Sequence, residues 1–464
     1  MSTSWENDLF SDIFQDIPSI IQSEDLPSLT LGIVFKQQLL WHRVFGKLHL
    51  PSPVSPDDTT LFRIASITKT FTAAAILKLR DEQKLSLDTP LEQYIPEFGK
   101  AQVRAGSLEQ VTLRRMLCHH AGLTTEAPLP CWDVLAFPTR DALLAAIPEI
   151  EVVLEQDTAF KYSNLAFGLL GEVVHRVSGF EYEDYIKHTF LDPLSMNRTR
   201  FHLDDSTRTQ CAIGYLPRSH EGDFDPAPAI PLNGLSACGG LYSCLLDLSR
   251  WLAFQMSPSL FHSLQGAPLL NTKTVEESHR PMHLEADWST GYCMAWRAHR
   301  FEDHIFHGHG GGIYGFSSQV LFCKSNHLGI ICFANRWPFR GLQDLSGSLL
   351  RRLIESGQFG HLSPIGSETI TRSYPSFVGT YTAYPGITLQ VALRMGQLHL
   401  LPIPDCDFHL HVPALLEPSD SENHFVVCGG RGAGERIVFL RPTDDTIQFE
   451  LGGFVYQKKL DPVT

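Results

Sequence analysis

The chain has 464 residues, 43% hydrophobic and 19% charged, with a formal net charge of −14, and this length implies roughly two to four structural units. The charge balance excludes nucleic acid as the main partner: phosphate binding needs clustered Lys and Arg, and the densest basic runs are mere pairs, such as Arg114-Arg115 and Arg351-Arg352. No apolar run approaches the ~18 residues of a membrane-spanning helix, so no membrane association is expected. The N-terminus, MSTSWENDLFSDIFQDIPSIIQ, is acidic and has no basic residue before Lys36. It reads as an amphipathic helix, not a secretory or transit signal, and a cytoplasmic protein is expected. Residues 29–48 form two β-like runs around a KQQ turn, a hairpin. Apolar spacing at Phe71, Ala74, Ala75, Leu77 and Leu79 predicts a helix over 66–82. From about 86 to 285 short helices alternate with Pro- and Gly-rich loops, the strongest helices being 164–178 and 181–189. Strands return at 290–297, 313–323 and 328–334, and a helix follows at 341–356.

Sheet at both ends with helices between predicts an α/β (α+β) unit over 1–356, with a helical insertion at about 86–285. A Ser-, Gly- and Pro-rich linker covers 357–373. Residues 374–464 are short β-like runs and predict a separate barrel-like β domain. Ten cysteines are scattered without a CxxC. Those at 238, 244, 323 and 332 sit among small or apolar neighbours and read as buried free thiols.

The chemistry-bearing stretch is RIASITKTFT, residues 63–72. Positions i and i+3 share a helix face, so Ser66 and Lys69 can meet. A serine hydroxyl needs a base to become a nucleophile, and a lysine serves when burial or nearby cations keep it neutral. A serine that only caps a helix is the bland alternative. His304, His307 and His309 lie close together, but no carboxylate-plus-His pattern with metal spacing follows. Neither a metal nor another cofactor is expected.

Three motifs occur in order: Ser66-Ile67-Thr68-Lys69, Tyr162-Ser163-Asn164 and His309-Gly310-Gly311. With flanks such as VTLRRMLCHHAGL and LSACGGLYSCLLDLSRWL, they resemble the serine β-lactamase and penicillin-binding-protein superfamily. The branch is that of class C β-lactamases, DD-peptidases, esterases and acyltransferases, and the likeness covers roughly 20–356. The C-terminal stretch SFVGTYTAYPG is similar to the lipocalin-like domain some members append. The resemblance implies a β-lactamase/transpeptidase-like fold: an antiparallel sheet flanked by helices. It implies that Ser66 is acylated, with Lys69 and Tyr162 moving its proton and a protonated His309 adding positive field. Asn164 would hold substrate or Lys69. The N–H groups of Ser66 and Gly312 would form an oxyanion hole on an edge strand beginning at His309, where Gly310 and Gly311 let substrate approach. His307 shares a face with His309, and His119 reads as a satisfied buried histidine.

There are departures. Gln156-Asp157-Thr158 replaces the usual Pro-Gly-Thr, Ala121 replaces a serine, and the third motif opens with His, which is commoner among DD-peptidases, esterases and acyltransferases. The expected function is a serine hydrolase acting on a small-molecule ester, amide or lactam. Rivals are an acyltransferase of secondary metabolism using the same acyl-serine, and a non-catalytic scaffold. Trp132 and Phe224 are each a candidate wall of an apolar acyl pocket or, equally, a loop anchor. The oligomeric state is left open.

Overall fold

The computed structural model describes residues 14–50, 54–132, 134–216, 224–357 and, within 375–459, all but 384–386, 395–396, 403–413, 420–422, 429–432, 444–445 and 452–453. The expected linker beyond residue 357 and most of the expected N-terminal helix lie outside the described residues; the described end of that helix is α1 (Ile17–Ser23). Two compact units divide near residue 359.

In the first unit the hairpin forms as expected: β1 (Ser28–Phe35) and β2 (Gln38–Gly46) turn at Lys36 and Gln37. They join an eight-stranded sheet with β3 (His283–Leu284), β4 (Thr290–Tyr292), β5 (Arg297–Phe301), β6 (His304–Ile313), β7 (Phe316–Cys323) and β8 (Leu328–Ala334), in the order β2-β1-β8-β7-β6-β5-β4-β3. Neighbours are antiparallel throughout. β1, β7 and β8 are buried along their whole length, which requires cover on both faces. Helix α5 (Leu245–Met256) packs on β1 and β2, and α6 (Leu342–Glu355) on β7 and β8.

Between the sheet segments lie α2 (Thr68–Asp81), α3 (Asn164–Ser178) and α4 (Ser236–Gly239), which pack on one another. Eleven of the fourteen residues of α2 are buried. A helix covered on nearly all sides needs no polar face, which accounts for its plain Ala and Leu run. Trp251 of α5 stacks on Phe71 at 3.8 Å and donates its indole N–H to Thr70 Oγ1 at 3.0 Å.

Four expectations are corrected. The helix expected from 66 starts at Thr68; residues 65–67 form a 3₁₀ turn, and Ser66 caps nothing. The strand expected at 290–297 stops at Tyr292, because Cys293 to Trp296 turn through Ala295 at φ +60°. The strand expected at 313–323 is two strands that turn at Tyr314-Gly315, with Gly315 at φ +76°. Helix 181–189 is an α-turn at Tyr182–Ile186 continued by a π-turn at Lys187–Leu191.

The second unit is a nine-stranded antiparallel sheet, nearly closed into a barrel. Its first strand, Gly379–Ala383, pairs with its last, Phe454–Lys459. Alternate side chains point inward, as a two-residue period requires: Leu389 and Val391, Leu398 and Leu400, Phe425 and Val427, Ile447 and Phe449 form one core with Tyr381 and Tyr456. Each unit owns its core, so calorimetry of the whole chain is expected to resolve two transitions. Phe449→Ala should lower only one and Trp251→Ala only the other, each by about 3–5 kcal/mol of local stability.

Candidate active site

The segment carrying Ser66 is docked onto the middle of the sheet. Ile64 donates its N–H to the Leu241 carbonyl at 3.0 Å and its own carbonyl accepts from Ser318 Oγ at 2.9 Å. Ala65 takes a left-handed φ of +44°, a conformation that costs a residue with a side chain about 1–3 kcal/mol. The 3₁₀ turn then delivers Ser66 at the mouth of α2, half-buried. Across from it, Gly311 of β6 lies so near that an added Cβ would sit 2.2 Å from the Ile64 carbonyl oxygen and 2.3 Å from Ser318 Oγ. Only glycine permits that approach.

Lys69, one turn on, has no exposed surface. Its Nζ lies 3.1 Å from Ser66 Oγ, 2.8 Å from Asn164 Oδ1 and 2.7 Å from the Cys238 carbonyl oxygen. The Tyr162 ring faces the same nitrogen at 4.9 Å and the Phe167 ring at 5.5 Å, distances at which aromatic faces stabilise a cation. Asn164 and the Cys238 carbonyl can only accept from Nζ. The bond to Ser66 can run either way: an ammonium donates to Oγ, while an amine accepts from the Oγ hydrogen. The amide orientation of Asn164 follows from its other contact, Nδ2 donating to Glu126 Oε1 at 2.7 Å.

Asn164 opens α3, which Ser163 caps: its Oγ accepts from the Ala166 N–H at 2.9 Å and donates to the Thr124 carbonyl at 2.7 Å. The Asn164 N–H donates to the Thr125 carbonyl at 2.7 Å. The loop 124–126 is thereby fastened to the start of α3.

The strand β6 begins at His304, not His309, and over 304–308 it is covered by β5. Its two hairpins close on His304↔Phe301 and Ile313↔Phe316, which gives opposite parities to its two flanks. Gly310 and Gly312 therefore turn their N–H and C=O groups to the flank that β5 leaves open beyond Gly308. The edge expected at Gly312 exists, but only over this stretch. Next to it Trp337, Tyr314 and Trp132 form a chain of rings, 6.3 Å and 5.6 Å between centroids. The Trp337 indole lies where a Gly312 Cβ would stand. Trp132 thus belongs to a rim beside β6, whereas Phe224 packs on Tyr215 at 5.8 Å as a loop anchor.

A family model described as Beta-lactamase matches residues 12–348. The chain belongs to that family. It is 26% identical over 291 residues, 61% of its length, to "Beta-lactamase-like protein 2" of Dictyostelium discoideum, and 26% identical over 335 residues, 70% of its length, to "Protein flp" of Staphylococcus aureus strain MRSA252. Those matches span 51% and 64% of the relatives' own lengths. The fold is shared with the octameric penicillin-binding protein homologue from Pyrococcus abyssi, at a TM-score of 0.64 and 22% identity over 97% of this chain and 100% of that one.

Within this β-lactamase-family fold the structure brings Ser66, Lys69, Tyr162, Asn164 and the β6 glycines together. It corrects the expected imidazolium at His309. Burial, then the nearby Lys69 charge, push this histidine down to about 3. Its Nδ1 lies 2.6 Å from the Gly310 carbonyl and donates to it, leaving Nε2 to accept from the Tyr292 hydroxyl at 3.3 Å. Tyr292 is itself buried, and burial raises its phenol well above the ordinary value, so it stays a donor. His309 is a neutral, oriented ring.

His119 is only half satisfied: Nδ1 accepts from the Ser163 N–H at 3.0 Å, while the buried Nε2 has no partner. His307 turns Nε2 to the His279 carbonyl at 2.9 Å and stacks on Phe322, apart from the site. Three contributors were missed from sequence: Glu126, the Cys238 carbonyl and Ser318. None has a local pattern; each acts through a position that only the fold defines.

The buried histidines set an acid limit. Burial holds His309 near 3 and His307 near 4, and His119 and His279 well below their ordinary value. In the unfolded chain each takes a proton near pH 6.5. The folded state therefore binds fewer protons below that value, so stability is full above about pH 6.5 and falls as pH drops toward 4. Urea midpoints measured from pH 7 to 4 should decline, and more shallowly for His309→Asn. Gly311→Ala should cost about 1–3 kcal/mol by overpacking. Gly347→Ala on α6, where an added Cβ meets nothing within 4 Å, should cost nothing; thermal unfolding compares the two.

Proposed function

We propose that this chain is a serine hydrolase that cleaves small esters, amides or lactams through an acyl-Ser66 intermediate. The observation that carries the reading is the 3.1 Å contact between Ser66 Oγ and a buried Lys69 whose other two partners fix its position. In the reacting state the Lys69 amine, with Tyr162 beside it, takes the Oγ proton as Oγ bonds to the substrate carbonyl carbon. The proton passes to the leaving oxygen or nitrogen as its bond to carbon breaks. Water then attacks the acyl carbon by the reverse sequence, gives its proton to Ser66 Oγ and releases the acid. Charge on the carbonyl oxygen is met by the N–H groups of Ser66 and Gly312, the latter on the open flank of β6. Gly311 lets the nucleophile segment stand against β6, and neutral His309 donates to the Gly310 carbonyl.

Intact-mass analysis after exposure to p-nitrophenyl esters, a cephalosporin and acyl-thioesters tests the reading. The native chain should gain one acyl mass, mapped to Ser66. Ser66→Ala should gain none and lose about 10³-fold or more of turnover. Full activity in Ser66→Ala would refute the assignment. Added alcohol or amine acceptors divide hydrolysis from acyl transfer by the product formed.

A further inference from the structure

Arg63 stands three residues before Ser66, in a two-residue strand with Phe62 that pairs with Tyr242 and Ser243. It is 2% exposed, and an arginine keeps its charge at any ordinary pH. Among the described residues it has no ion-pair partner, and its Nε and Nη1 are enclosed without an acceptor. Its guanidinium carbon lies 5.4 Å from the centre of the Tyr242 ring, a contact worth less than the desolvation of a buried charge. The third nitrogen, Nη2, has no partner either but is not enclosed: a cavity of about 210 Å³ reaches the residue. Arg208 lines the same cavity, is exposed, and also has no ion pair among the described residues. No Asp or Glu among them lines it. The carboxylate of Glu183 is committed elsewhere, Oε2 to His202 at 2.6 Å and Oε1 to Ser236 Oγ at 2.8 Å.

We propose that this cavity is an anion site that binds a small carboxylate carried on a short apolar group, held by Arg63 and Arg208. It is separate from the candidate active site: Ser66, Lys69, Tyr162, Asn164 and the β6 glycines do not line it. A carboxylate meeting Nη2 makes a charge-assisted bond, shorter and stronger than a neutral one. The Tyr242 phenol also lines the cavity, and burial raises it above its ordinary value, so it stays a donor. Phe201, Leu203, Pro231 and Leu232 form an apolar wall, which an inorganic anion such as phosphate cannot use. The volume is below the ~300 Å³ at which sites for drug-sized ligands begin, so the occupant is small. Its charge would match a cation in the segment that presents Ser66, and binding should therefore stabilise the fold.

Calorimetric titration and thermal unfolding of the full chain in low-chloride buffer test this, with benzoate, its neutral isostere benzamide, and phosphate as probes. Benzoate should bind saturably at one site and raise the melting temperature. Benzamide and phosphate should each bind at least about tenfold more weakly. Arg208→Gln, at an exposed position, should fold as the native chain does and weaken benzoate about tenfold or more. Arg63→Met, which removes the buried charge, should abolish the benzoate shift; if it does not fold, Arg208→Gln decides alone. Ser66→Ala should bind benzoate as the native chain does, which separates this site from the nucleophile. No saturable benzoate binding, or binding unchanged by Arg208→Gln, would overturn the proposal. So would benzamide or phosphate binding as tightly as benzoate, or benzoate binding lost in Ser66→Ala.

Discussion

A lysine with no exposed surface must place each of its nitrogen's hydrogens on an acceptor, because an unmet polar group in the interior costs several kcal/mol or so. Lys69 meets this demand with groups from three separate parts of the chain: the turn before its own helix, the first residue of α3 and the last turn of α4. Those contacts fix where α3 and α4 stand relative to α2. They also bring the Ser66 hydroxyl to a nitrogen able to exchange a proton with it. The packing requirement and the chemical requirement are met by the same atoms.

The sheet contributes the other wall. The nucleophile segment is fastened to β7 by the bond from Ser318 to Ile64, and it stands so close to β6 that Gly311 can carry no side chain. The same strand turns the N–H of Gly312 toward an open flank. Around this, burial keeps His309 and His119 neutral, and Asn164 joins the Lys69 nitrogen to the Glu126 side chain.

Much of this was legible in the sequence where local spacing carries the information. Ser66 and Lys69 follow from helical spacing, the β1–β2 hairpin from alternation around a polar turn, and the buried free thiols Cys238, Cys244, Cys323 and Cys332 from their apolar neighbours. β6 was read as a strand only from His309 onward, and only through the resemblance, because four of its ten residues are glycine, which hides strand propensity. Those glycines are there for close approach, a tertiary cause. The charge of His309 was misjudged for a similar reason: burial is not written in the residues beside it. Glu126 left no trace because its role depends on an amide 38 positions away.

The central claim is that Lys69 activates Ser66. The most direct measurement is the rate of stoichiometric labelling by a fluorophosphonate, which reacts with an activated serine and not with an ordinary one. The native chain should take one label at Ser66, and Lys69→Met, with the serine still present and the fold checked by circular dichroism, should take it at least about a hundredfold more slowly. Equal labelling of the two proteins would contradict the account.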